Sequence, residues 1–122
     1  MSDAPKPDFR FLQIYRLKLR TEFDTVFDQG LVASDSVLVT HAVHNRLGYT
    51  RIGLSISKRV GSSPIRNQWK RWMREAFRLN RQQLPIGLDV VIRPRRGAKG
   101  SFHAVEKSMM KLFRELDRKL PS

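Results

Sequence analysis

The 122-residue chain has no cysteine, which excludes both a disulfide framework and a thiolate zinc site. It has no apolar run long enough to span a bilayer and no lipidation motif, so a membrane is a poor partner. Acids are scarce, with 11 Asp and Glu against 24 Lys and Arg. They stand singly, apart from Glu22 with Asp24, so no paired carboxylates are in place for acid–base chemistry. A self-sufficient nuclease would need clustered metal-binding carboxylates and is set aside for the same reason. There are three histidines. His41 and His44, three apart on a strand, point to opposite faces, and His103 has no matching ligand nearby. The serines lack a base and a third partner. Gly61-Ser62-Ser63 is no Walker loop and suits at most one phosphate at a helix N-terminus. No protein-based catalytic centre and no small-molecule substrate are expected. The N-terminus lacks an apolar stretch of signal-peptide type, so a cytoplasmic location is the default expectation.

What the chain does have is positive charge, +13 at pH 7 with a pI near 11.3. A folded domain this cationic repels itself, and the clustering of the charge points to a polyanionic partner, nucleic acid first. Hydrophobic residues make up 40% of the chain, enough for one packed core, and the length suits one domain.

Along the chain, residues 1–8 are small, polar and proline-bearing and read as a loose tail. Arg10 to Arg20 mixes cations with Phe11, Leu12, Ile14, Tyr15, Leu17 and Leu19 and reads as an extended basic lead-in. Thr21 fits an N-cap, with Glu22 and Asp24 in the first helical turn. Phe23, Val26 and Phe27 share one face of that helix, and Gly30 fits its C-terminal stop. Val37 to Val43 alternates as a strand, with Val37, Val39, His41 and Val43 on one side and Leu38, Thr40 and Ala42 on the other. After an Asn45–Gly48 turn, Ile52, Leu54 and Ile56 alternate with Gly53, Ser55 and Ser57. A hairpin is the simplest arrangement of these two strands. The small face of the second strand suits either a binding groove or packing beneath a helix. Ser63 as cap and Pro64 at the first helical position open a helix running to about Leu79–Arg81. Leu88–Arg93 is a third strand, and residues 94–100 form a cationic loop. Ser101 caps a last helix whose apolar stripe is Phe102, Val105, Met109, Leu112, Phe113, Leu116 and Leu120.

The helix after Pro64 is the most informative element. With about 100° per residue, Arg66, Lys70, Arg81, Arg74, Arg78 and Arg71 fall within an arc of roughly 140°, and Asn67 lies inside it. Trp69, Trp72, Met73, Ala76, Phe77 and Leu79 fill most of the rest, which makes the tryptophans core residues rather than stacking platforms. An exposed helix face normally mixes signs, because opposite charges at i,i+4 stabilise it. Here Arg66, Lys70 and Arg74 are stacked like charges, a cost that a bound phosphate backbone offsets through counterion release.

These residues resemble a known family. Lys58-Arg59-Val60-Gly61, followed by Arg66-Asn67-x-x-Lys70-Arg71-x-x-Arg74-Glu75-Ala76-Phe77-Arg78, resembles the signature of the bacterial ribonuclease P protein component. Leu17–Gly30, with Phe23-x-x-x-Phe27, resembles the family's first helix, and Arg51–Lys58 and Leu88–Arg93 resemble the strands on either side of the motif. The resemblance implies a small α+β domain, residues 17–122, behind a flexible basic lead-in at 1–16. It implies a central β-sheet packed with three helices and a left-handed βαβ crossover through the basic helix, as in the ribosomal-protein-like superfamily. It implies a subunit that binds the ribonuclease P catalytic RNA and the single-stranded 5′ leader of precursor tRNA, assisting removal of that leader. The active site and its Mg2+ ions would lie in the RNA, with no metal held tightly by the protein. By resemblance, Arg66, Asn67, Lys70, Arg71 and Arg74, flanked by Lys58 and Arg59, would face RNA. Phe23, Phe27, Val39 and His41 would line the leader cleft. As plain residues, the two phenylalanines are equally well read as core. Two positions depart from the family's pattern: Gln68 stands where arginine is usual, and His41 where an aromatic, often tyrosine, is common. A structural RNA-binding protein of ribosomal type is the rival reading, and the ordered run of motifs favours the first.

Overall fold

The computed structural model describes residues 11 and 13–121. A short 3-10 turn at Gln13–Tyr15 precedes α1 (Arg20–Gln29), β1 (Leu31–Ser34), β2 (Leu38–His44) and β3 (Arg51–Leu54). A second turn at Lys58–Val60 leads into α2 (Ser63–Asn80), and β4 (Leu88–Pro94) and α3 (Phe102–Lys119) complete the domain. The expected α+β class, with one sheet and three helices, is what the chain adopts.

The sheet runs in the order β1-β2-β4-β3. The expected hairpin between Val37–Val43 and the Ile52 strand does not form. β2 pairs antiparallel with β4, and β3 pairs parallel with β4 on its other side. The physical reason lies in Leu88-Asp89-Val90-Val91-Ile92, buried throughout. A run apolar on both faces belongs in the middle of a sheet, and it displaces the local pairing. The hairpin partner of β2 is instead β1, Val32 opposite His41. Because β3 and β4 are parallel, the chain crosses between them through α2, which is the βαβ unit that the resemblance implied.

On one sheet face, Leu38, Ala42, Ile52, Val90 and Ile92 meet α2 and α3 in the main core. Phe77, Met73, Phe113 and Met109 are fully buried there, and the apolar stripe of α3 points inward as its period requires. Trp69 is buried in this core and Trp72 packs against it. On the other face a smaller cluster of Leu17, Val26 and Val91 seats α1, with Phe23 and Val43 at its edge.

Local ends differ from the sequence reading in informative ways. The first helix begins before Thr21, because the Glu22 carboxylate accepts the backbone N–H groups of Lys18 and Leu19, both at 2.9 Å. Gly30 closes the helix with φ −79°, so its role is not a left-handed turn. A Cβ there would lie 2.3 Å from the Val26 carbonyl oxygen and 2.9 Å from that of Ala42, so glycine allows the close passage into β1. Ser62 rather than Ser63 is the N-cap position of α2. Ser101 caps α3 as expected, accepting the Ala104 N–H at 3.1 Å. Of the lead-in expected at 1–16, residues 1–10 and 12 lie outside the described residues. Among the described ones, Tyr15 is buried, Phe11 stacks edge-on against Phe77, and Arg16 bridges to Ile52 at the sheet edge.

Candidate nucleic-acid interface

α2 is held by its apolar side, so its cations have a fixed direction. Arg66, Lys70 and Arg74 follow one another along the flank of the helix and are half-buried, while Asn67 and Arg71 are exposed beside them. Lys58 and Arg59 are exposed on the turn just before the helix. None of these cations is paired with an acid among the described residues. The Arg66 Nη2 donates to the Ser63 hydroxyl at 2.9 Å, and its Nε has no protein partner. Burial, and then the nearby Arg16 guanidinium, lower the Arg74 pKa from its ordinary value, a sign of like charges brought together without a counterion.

The arc of six cations expected from periodicity is shorter in the structure. Arg78 donates to Glu75 Oε2 at 2.6 Å, one turn away, and is internally paired. Arg81 falls beyond the end of α2, where it hydrogen-bonds the Tyr15 hydroxyl and stacks over that ring at 4.3 Å. The acid-free ridge is therefore the N-terminal part of the helix, Arg66 to Arg74.

Two cations that the sequence reading did not single out join this ridge. Arg16 and Lys18, with Lys70 and Arg74, line a cleft of about 390 Å³ between the lead-in, β3 and α2. Arg16 lies 4.9 Å over the Phe11 ring, and its Nε has no partner. The signal in the sequence was the interleaving of cations with aromatics before Arg20, a pattern of single-strand binding surfaces.

The second group of expected residues lies on the sheet face beside α1. Val39 and His41 share that face of β2 and are half-buried. Phe27 is 40% exposed, and its ring meets His41 edge-on with centroids 5.0 Å apart. Neither ring nitrogen of His41 has a hydrogen-bond partner among the described residues. Burial first, and Arg93 second, hold the His41 pKa below its usual value, so the ring is neutral at neutral pH. Phe23 is not grouped with these three. Its ring lies against Gly53, where a Cβ would stand 2.6 Å from the ring, and packs with Leu17, Val26 and Val91. The flat object that approaches the small face of β3 is thus the protein's own phenylalanine. Of the two residues that read equally well as core, one is core-side and the other is open.

A buried ionic knot fixes α1 over the sheet. Arg51 on β3 donates to Glu22 Oε2 at 2.8 Å and to both oxygens of Asp89 at 2.9 and 2.6 Å, while the Asn45 amide donates to Asp89 Oδ1 at 2.9 Å. Asp89 is 7% exposed. An acid inside an otherwise apolar strand demands a cation, and that was the overlooked clue. The N–H of Leu19 lowers the Glu22 pKa most; burial opposes it, and the Lys18 N–H and the Arg51 guanidinium together tip the balance downward. Among the described residues, no three or more His, Asp or Glu side chains gather as a metal-holding group. Glu22, Asp89 and Asp35 are occupied by Arg51 and Ser108, so these acids do not fit a magnesium site.

A family profile described as Ribonuclease P matches residues 11–117. A ribonuclease P protein component from Clostridium kluyveri is 35% identical over 107 residues, covering 85% of this chain and 96% of its own. One from Thermotoga petrophila is 31% identical over 112 residues, covering 88% and 96%. Among solved structures, the RNase P protein from Thermotoga maritima in complex with 1-(4-fluorophenyl)-2-thiourea superposes with a TM-score of 0.77. It is 32% identical and covers 81% of this chain and 97% of its own. The Staphylococcus aureus RNase P protein, 24% identical with a TM-score of 0.74 over 83% of this chain and 94% of its own, shares the fold.

Proposed function

The chain belongs to the ribonuclease P protein family and is a protein subunit of that endoribonuclease, and on this premise we propose how its two surfaces divide the work. The ridge Arg66–Lys70–Arg74, with Asn67, Arg71, Lys58 and Arg59, binds the catalytic RNA. The open sheet face with Phe27, Val39 and His41 takes the single-stranded 5′ leader of precursor tRNA, with Phe23 holding the helix that forms its wall. Cutting occurs at the RNA, where magnesium ions act in hydrolysis, and the protein contributes binding and orientation in the cytoplasm.

The observation that carries this reading is the run of cations on α2 without an internal counterion, set against Arg78, which has one. Close like charges on a rigid helix cost stability in the free protein. A phosphate backbone removes that cost and releases counterions as it binds. The leader assignment rests on different physics. Unpaired bases are held by flat side chains, with stacking worth about 1–3 kcal/mol per base. Phe27 and His41 offer a ring edge pair on a sheet face that no helix covers fully. Because His41 is neutral at neutral pH, its part is stacking and hydrogen bonding rather than charge.

Reconstitution tests the proposal. Purified chain added to bacterial ribonuclease P RNA at low magnesium should stimulate precursor-tRNA cleavage. Cleavage no faster than with RNA alone would reject it.

A further inference from the structure

A second concave surface adjoins the ridge and shares Arg59 with it. The Lys58–Val60 turn, the first two turns of α2 and the loop after β4 enclose a cavity of about 530 Å³. That volume is within the range of sites for small organic ligands, about 300–1,000 Å³. Its wall is apolar: Val60, Ile65, Trp69, Trp72 and Ala98 line it. Its rim is cationic: Arg59, Arg93, Arg95 and Arg96 line it as well, and no acid does.

The loop that closes the cavity is shaped for it. Gly97 turns the chain at φ +77°, a conformation that favours glycine. At Gly100 a Cβ would stand 2.5 Å from the Trp69 ring and 2.7 Å from the Trp72 ring, so glycine lets the loop lie directly on the two indoles. Arg95 is tied back to Ser34 Oγ and the Asp35 carbonyl at 3.4 and 3.3 Å. Arg59 and Arg96 are left exposed at the mouth, without an acid partner among the described residues.

We infer that this cavity is a site for one unpaired nucleotide of a single-stranded RNA segment, its base against the exposed Ile65 and the accessible part of Trp72, and its phosphate at Arg59 and Arg96. The combination of an apolar wall with guanidinium groups at the rim is what a nucleotide needs and what a duplex cannot use, because paired bases do not enter a pocket. Arg59 lines the cavity and Ile65, on its wall, is next to Arg66 of the ridge in sequence, so an RNA lying on the ridge passes its mouth. The inference rests on the RNA-binding reading above but adds a pocket beside the ridge, sharing Arg59 with it and nothing with the leader face.

The chain's two tryptophans both line this cavity, so intrinsic fluorescence reports on it. The full chain is titrated with a short, 5′-labelled single-stranded oligoribonucleotide while label anisotropy and tryptophan emission are followed together. A saturable emission change that tracks the anisotropy is expected. Arg96→Ala should weaken the emission-detected binding by about three- to tenfold, with partial rescue by Arg96→Lys, and thermal melts of these exposed-site variants should match the parent. An anisotropy rise without any emission change would overturn the cavity and leave the RNA-binding reading standing. The same emission change with an RNA duplex, or with inorganic phosphate, would overturn it too, since only charge would then be sensed. No anisotropy change at all would sink both.

Discussion

The two faces of the sheet are built to different standards. The face under α2 and α3 is closed, with Leu38, Ala42, Val90 and Ile92 wholly buried. The face under α1 is half open: Val91 is buried, but His41 and Val39 are partly accessible and Phe27 is 40% exposed. Both carry large apolar side chains. The difference teaches that apolar pattern identifies what is packed only where a second element covers it, and that an aromatic left at the edge of a cluster is available for another molecule. The same contrast runs along α2. Arg78 near its C-terminal end has an acid partner, while among the described residues Arg66, Lys70 and Arg74 have none, so lack of an internal counterion, rather than charge itself, marks the proposed contact surface.

This contrast can be broken by substitution. The largest effect should come from the closed face. Phe77→Ala should cost about 3–5 kcal/mol of stability, read as a fall in denaturation midpoint; a loss below about 1 kcal/mol would mean that this face is not the stabilising one. Next comes the ionic knot. Arg51→Ala strands Asp89 in a buried position and should cost about 3 kcal/mol. Since Arg51 also holds Glu22, leader binding should fall alongside stability, in contrast to Phe77→Ala measured at temperatures where that variant stays folded.

Substitutions on the open surfaces should spare the fold. Arg66→Ala with Lys70→Ala should weaken binding to the catalytic RNA by about tenfold or more and lower the slope of log affinity against log salt by about 1–2. Filter binding across a salt series reads both, and unchanged affinity would remove the ridge from the interface. Phe27→Ala should lose about 1–2 kcal/mol of binding to leader-bearing substrate, with much less effect on mature tRNA and little on melting temperature. An equal loss for both RNAs would return Phe27 to a purely structural role.

The smallest effect is one of pH. Glu22 and Asp35 have carboxyl pKa values below their ordinary ones. For Asp35 burial works against ionisation, but the Ser108 hydroxyl and the N–H groups of Leu38 and Val37 outweigh it. A lowered folded pKa means stability that is full above the unfolded value, about 4 for carboxylates, and is lost as the pH falls through the folded value. Melting temperature should therefore be level with respect to these two groups from pH 7 to about 5 and decline below about pH 4. Glu22→Gln should make that decline shallower.

Much of this architecture is legible in the residues themselves. The stripe of α3, its Ser101 cap, the alternation of β2 and the apolar side of α2 follow from local period and are as read, except that Leu79 is 40% exposed rather than packed. The pairing of strands is not local. Asn45–Gly48 allows a hairpin, and only the two-sided burial of Leu88–Ile92 explains why β4 enters between β2 and β3. β1, four residues long, is too short to announce itself by alternation. For the candidate site, the positions of Arg66, Lys70 and Arg74 were readable from helical geometry. The pairing of Arg78 with Glu75 depends on a rotamer, and the approach of Arg16 to Arg74 depends on the bridge to Ile52, neither of which periodicity encodes. Phe23 and Phe27 are indistinguishable by spacing and are separated only by what lies beneath them, Gly53 in one case and His41 in the other.

The place of β4 has a consequence for how the chain comes to be. β2 and β3 do not touch; each waits for residues 88–94 to arrive between them. Until that strand has left the ribosome, the basic helix lacks the sheet strand it packs over and the open face beside α1 has no floor, so a nascent chain cut short there has its cations but no surface to array them on. Such distant pairings slow assembly relative to local ones, and they make the two contact surfaces appear together, late, and as one event.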